Sequence, residues 1–168
     1  MCATFLHTSP LFLHTHFNIL FVMAYKKNPK KKDALSIKRA VESLRFQIDW
    51  GLKLLGAEKG DLFHQLAKVE VDFISELNLT QDILAIKSLV DGVKQNLQIE
   101  PTPESGDFTH SVVALALGIA SISHLNNISL PESWRDQIEK KLLTIYYPEK
   151  LRNKIVDWAK ANGYSTSN

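Results

Sequence analysis

Two Asp-x-x-His patterns carry the clearest capacity for chemistry in this sequence: Asp61 with His64, and Asp107 with His110, each where a helix is expected to begin. A carboxylate and an imidazole three residues apart share one helix face, and carboxylate-x-x-His pairs on two helices are how bundle proteins hold a pair of metal ions. His124 follows His110 by fourteen residues, close to four helical turns, so it falls on the same face. A second reading competes. Aspartate is a favoured N-cap, and a polar residue three positions later meets the open amides of the first turn whatever its role. A di-metal centre also needs several further inward carboxylates, and the stretch after His110 supplies none. The expectation is no metal and no cofactor, with Asp61, His64, Asp107, His110 and His124 as the residues that would ligate one.

Other catalytic arrangements are weaker. No serine stands in a Gly-x-Ser-x-Gly turn, and neither a P-loop nor a Gly-x-Gly-x-x-Gly stretch occurs. Cys2, the single cysteine, lies in an N-terminal segment whose membership of the fold is doubtful. The carboxylate pairs Glu70/Asp72 and Asp72/Glu76 are expected on a solvated helix face. No set of catalytic residues is assigned, and the chain is read as leaning away from an enzyme.

Residues suited to recognition are more prominent. The net charge of +2 divides into +6 over residues 26–39, −7 over 40–132 and +3 over 133–168, so an acidic body carries a basic arm. Lys26, Lys27, Lys30, Lys31, Lys32, Lys38 and Arg39 are candidates for contact with an acidic partner, nucleic acid included, because each phosphate neutralised releases counterions. Lysine provides charge without base reading, and an acidic body opposes nucleic acid. Near the C-terminus Trp134, Tyr146, Tyr147, Arg152 and Trp158 are interface candidates, since aromatic residues and arginine dominate binding hot spots. Closure of the core by a final pair of helices accounts for the same aromatics.

The elements that must position these groups are helical. A chain of 168 residues, 45% hydrophobic and 23% charged, has the composition of one globular domain. Residues 1–33 are expected to be an N-terminal extension and basic arm, with Met23 a candidate true start; 34–163 form the helical domain, and 164–168 a frayed tail. The first 24 residues lack Lys, Arg, Asp and Glu, but Pro10, Asn18 and three histidines divide them into apolar runs shorter than a membrane span. A membrane is therefore not expected as a partner, and the cytoplasm is the expected location.

From residue 34 onward apolar residues recur every three or four positions. Six helices are predicted. The first covers 34–55, with Ile37, Val41, Leu44, Ile48, Leu52 and Leu55 as its apolar stripe. The second follows Asp61 with a stripe of Leu62, Leu66, Val69, Phe73 and Leu77, broadened by Phe63 and Ile74. The third runs from 78 or 80 to 97. The fourth, 108–125, is apolar on every side and should occupy the centre. A fifth opens at the capping pattern Ser129-Leu130-Pro131-Glu132, and the last runs from Pro148 to Asn162-Gly163.

The fold class expected is thus all-α, a bundle of about six helices around the apolar stretch near 108–125. The function expected is non-catalytic binding through protein–protein contacts, as an adaptor, accessory subunit or inhibitor. Two alternatives stay open: a nucleic-acid-associated protein using the basic arm, and a metal-dependent bundle enzyme using His64 and His110.

Overall fold

Helix ends decide this architecture, because each main helix closes on a residue in the left-handed region. In the computed structural model, which describes residues 34–57, 61–101, 111–120, 145 and 147–164, α1 spans Ala34–Leu54. It stops at Gly56, whose φ of 79° costs a glycine nothing. Gly56 and Ala57 then donate their amides back to Lys53 and Leu52, satisfying carbonyls that would otherwise be orphaned.

The second helix, α2, spans Leu62–Glu76 and closes through Asn78 at φ 58°, with the Leu79 amide reaching Ile74 O at 3.0 Å. Asparagine tolerates this conformation better than most residues. α3, Thr80–Leu97, follows at once and ends on left-handed Gln98. Its inward row of Ile83, Ile86, Val90 and Val93 is buried, as the near-heptad spacing predicts.

The fourth helix is shorter than its apolar sequence suggests. Within residues 111–120 only Val112–Ala116 are helical, forming α4, where a helix over 108–125 was expected. Gly118 at φ 70° ends it, with the Ile119 amide bonded to Ala114 O at 2.9 Å. An apolar run sets burial, and a glycine able to turn the chain sets length. The central placement is nonetheless observed: all five residues of α4 are buried, and α4 packs on α1 and α2.

Two close approaches hold α4 in place. Gly51 of α1 lies against Ala116 so tightly that a Cβ there would overlap the Ala116 carbonyl oxygen. From α2, the Glu70 carboxylate reaches the open end of α4 and accepts from Val112 N at 3.0 Å, Val113 N at 2.9 Å and Ser111 Oγ at 2.7 Å. The Ser111 hydroxyl oxygen accepts from Ala114 N at 3.0 Å and completes the cap.

This arrangement corrects part of the inward face expected for α2. Phe73 and Ile74 are buried as expected, but Leu62 and Val69 are exposed, Ala67 and Val71 face the core in their place, and Glu70 is 0% exposed rather than solvated. Chain-local amphipathicity places a carboxylate in water. Here the donors that replace water come from a segment some forty residues away in sequence.

The last helix follows a 3₁₀ turn, Glu149–Leu151, and spans Arg152–Ala161 as α5. Gly163, at φ 79°, turns the chain so that Tyr164 N reaches Ala159 O at 2.9 Å. Ile155 and Ala159 bury its inner side against α3. Among the described residues there are thus five α-helices and one 3₁₀ turn. The expected helix opening at Ser129 lies outside the described residues, apart from buried Ile145.

Gly51→Ala should lower the unfolding free energy by about 2 kcal/mol or more in urea titrations, because the overlapped atom is backbone and cannot swing aside. Glu70→Ala should cost about 3 kcal/mol by leaving three donors without their acceptor. Burial pushes the Glu70 carboxyl above its ordinary 4.5, with the hydrogen bonds from Ser111, Val113 and Val112 pulling back. The folded chain then holds this proton more firmly than the unfolded one. Its contribution is accordingly largest at low pH and declines as pH rises from about 4.5 through the raised value. Urea titrations across that window should show the decline, and Glu70→Gln should flatten it.

Candidate functional site

The packing of α2 on α1 leaves a groove of about 350 Å³, with Ile48, Ala67 and Val71 along its floor. Its rim is charged. Arg45 Nη2 on α1 donates to Asp72 Oδ1 on α2 at 2.9 Å, and Asp49, Lys68 and His64 complete the lining. The sequence places His64, Lys68 and Asp72 on one row of α2, and that row faces the groove.

His64 is the group of greatest chemical interest here. Asp61 Oδ1 accepts from the His64 backbone amide at 3.0 Å and also lies 3.0 Å from His64 Nδ1. The His64 amide, chiefly, holds the Asp61 carboxyl below its usual range, and the His64 ring adds to the effect. With an ionised carboxylate at Nδ1, that nitrogen carries the proton and Nε2 is the basic one. An imidazole oriented by a carboxylate is half of a hydrolytic arrangement. Among the described residues no serine, threonine, cysteine or tyrosine lines the groove to supply the other half.

As a metal ligand His64 has only Asp61 beside it among the described residues. Among the described residues no three His, Cys, Asp or Glu side chains converge. Asp107, His110 and His124 lie outside the described residues, so the structure brings only Asp61 and His64 of the five together. What that pair visibly does is begin α2.

The recognition candidates are distributed differently. Lys38 and Arg39 are exposed on α1, with Lys38 Nζ 4.0 Å from Glu42. Lys26, Lys27, Lys30, Lys31 and Lys32 lie outside the described residues, as do Trp134 and Tyr146. Arg152 is exposed. Tyr147 is not surface: it is 3% exposed and belongs to the core, so its ring closes packing instead of meeting a partner. Trp158 is half-buried, stacked against Tyr164 with ring centroids 6.0 Å apart.

The most conspicuous surface was missed by the reading of the sequence. Phe46, Trp50 and Leu54, four residues apart on α1, are 69%, 56% and 73% exposed and point away from Leu44, Ile48 and Leu52. Lys53 Nζ sits 5.9 Å from the Trp50 ring centroid. The signal was available, since an i, i+4, i+8 apolar row lies opposite the first apolar row of the same helix. A helix with two apolar faces has one more than its own core needs.

No helix among the described residues is long and apolar enough to cross a membrane. Compared with family models, curated proteins and solved structures, the chain matches none.

The Asp61 cap has a measurable signature. A carboxyl held below 3.8 contributes stability above that pH and loses it as pH falls through the lowered value. Asp61→Ala should lower the urea midpoint at pH 7 and remove this share of the acid sensitivity, while Asp61→Asn, which keeps a capping oxygen, should hold the midpoint near that of the parent chain.

Proposed function

We propose that this chain is a non-catalytic binding protein, an adaptor, accessory subunit or inhibitor that acts through protein–protein contacts on the outer face of α1. The observation that carries the reading is the exposed row of Phe46, Trp50 and Leu54. Single apolar residues on a surface need no explanation, but three large ones on successive turns form a contiguous patch. Covering each would contribute on the order of 1.5–3 kcal/mol. Tryptophan is also among the residues most often found at the energetic centre of an interface.

The surroundings of the row suit recognition. Arg39, Glu42, Asp49 and Lys53 are all exposed around it, giving an apolar centre with a polar rim of both charges. Lys53 over the Trp50 face keeps a cation at the edge of the patch. The groove between α1 and α2 places charged groups, Arg45, Asp49, Lys68 and Asp72, beside the same helix and adds to the polar surface a partner would meet.

Trapping contacts in the native cell tests the proposal. A photo-cross-linking phenylalanine analogue at position 50 should give one adduct of discrete mass, and the same analogue at exposed Lys160 on α5 should give none. The double change Phe46→Ser and Leu54→Ser should abolish the adduct without shifting the unfolding midpoint, because exposed side chains contribute little to stability. Equal labelling from both positions, or no adduct from position 50, would overturn it.

A further inference from the structure

A second, open groove of about 670 Å³ lies on another side of the molecule, lined by residues of α1, α3 and the C-terminal helix α5. That volume is in the range of small-molecule sites. A junction of three amphipathic helices is ordinarily filled by apolar side chains. This one is lined mainly by hydrogen-bonding groups: Gln47 from α1, Lys87, Asp91 and Gln95 one turn apart along α3, and Trp158 and Tyr164 from the end of the chain.

The charges in the groove cancel. Lys87 Nζ donates to Asp91 Oδ2 at 2.6 Å, so the pair occupies itself and leaves no net charge to select a phosphate, a carboxylate or a cation. What remains is the Gln47 and Gln95 amides, which both donate and accept, and the Asp91 oxygen not bonded to Lys87, which accepts. Vicinal hydroxyl groups, each both donor and acceptor, match such a set.

The aromatic wall is held rigidly. A Cβ at Gly92 would overlap the outer edge of the Trp158 indole, so this glycine is the seat of that ring. Tyr164 stacks on Trp158 at an interplanar angle of 26°, and its hydroxyl is 2.9 Å from Ser88 Oγ. The left-handed turn at Gly163 brings Tyr164 back to this position. A preorganised indole beside hydrogen-bonding groups presents an electron-rich face to weakly polarised C–H groups, which line one side of a sugar ring.

Behind the groove the Tyr147 hydroxyl is buried and has no hydrogen-bond partner among the described residues. The Asp91 carboxylate is near enough to act on it, adding to burial in holding its proton. Asp91 itself is held by Lys87, one turn away on α3.

We propose that this groove binds a small, uncharged polyhydroxylated ring, with the chemistry of a monosaccharide, between the Gln47, Asp91 and Gln95 side chains and the Trp158 wall. The site is separate from the outer face of α1, so cross-linking at position 50 and binding here succeed or fail independently.

Titration of the ¹⁵N-labelled full chain with D-glucose, D-galactose, D-mannose and N-acetyl-D-glucosamine, with inorganic phosphate as the charged control, decides the matter. At least one sugar should give saturable shifts of the Ser88, Gly92 and Trp158 amides at millimolar concentration, and phosphate should give none. Gln95→Ala and Gln47→Ala, both at helix surfaces, should keep the fold and weaken binding about tenfold each. Absence of saturable shifts with all four sugars, shifts unchanged in both variants, or tighter binding of phosphate would overturn the proposal.

Discussion

The Glu70 carboxylate, taken wholly out of water at the N-terminal end of a helix only five residues long, is the contact on which the interior depends. A helix of that length does not persist by its own hydrogen bonds. The donors that Glu70 satisfies, Ser111 Oγ and the amides of Val112 and Val113, are those an isolated first turn leaves open. Removing a carboxylate from water is costly, and three donors offset that cost in one geometry only. The contact therefore fixes where α4 begins and the rotation of α2 about its axis. That rotation carries Leu62 and Val69 outward and turns His64, Lys68 and Asp72 toward α1.

Local rules made much of the helical frame legible. The spans of α1, α2 and α3, the Asp61 cap, and the stops at Gly56 and Gly163 follow from spacing, capping chemistry and the freedom of glycine at positive φ. Legibility ended where the deciding partner is remote in sequence. Nothing near Glu70 in the chain announces that its donors lie at 111–113, so solvation was the reasonable reading for Glu70 and the wrong one, while Lys68, Asp72 and Glu76 are exposed as expected. For residues 108–125, uniform apolarity concealed the turn at Gly118, because burial and helix length are set by different residues.

The candidate sites were legible to different degrees. Asp61 and His64 are adjacent, as their spacing implies, and the pair serves the start of α2. The second apolar row of α1 was present in the pattern and obscured by the first. The polar groove behind α3 depends on three elements, including a stacked pair that forms only when the chain reverses after α5, and no single window of sequence contains it.

The absence of a side chain at Gly51 has a mechanical effect beyond allowing close contact. Only one position on the inner side of α1 admits the Ala116 carbonyl, so the two helices are pinned in longitudinal register. Slipping by one turn, about 5.4 Å, would present Ile48 or Leu55 to that oxygen, and neither leaves room. α1 consequently behaves as a strut with fixed azimuth. Its outward aromatic row and the polar rim it shares with α2 keep a constant angle to one another, and occupation of one cannot be signalled to the other by sliding or rolling of the helix between them.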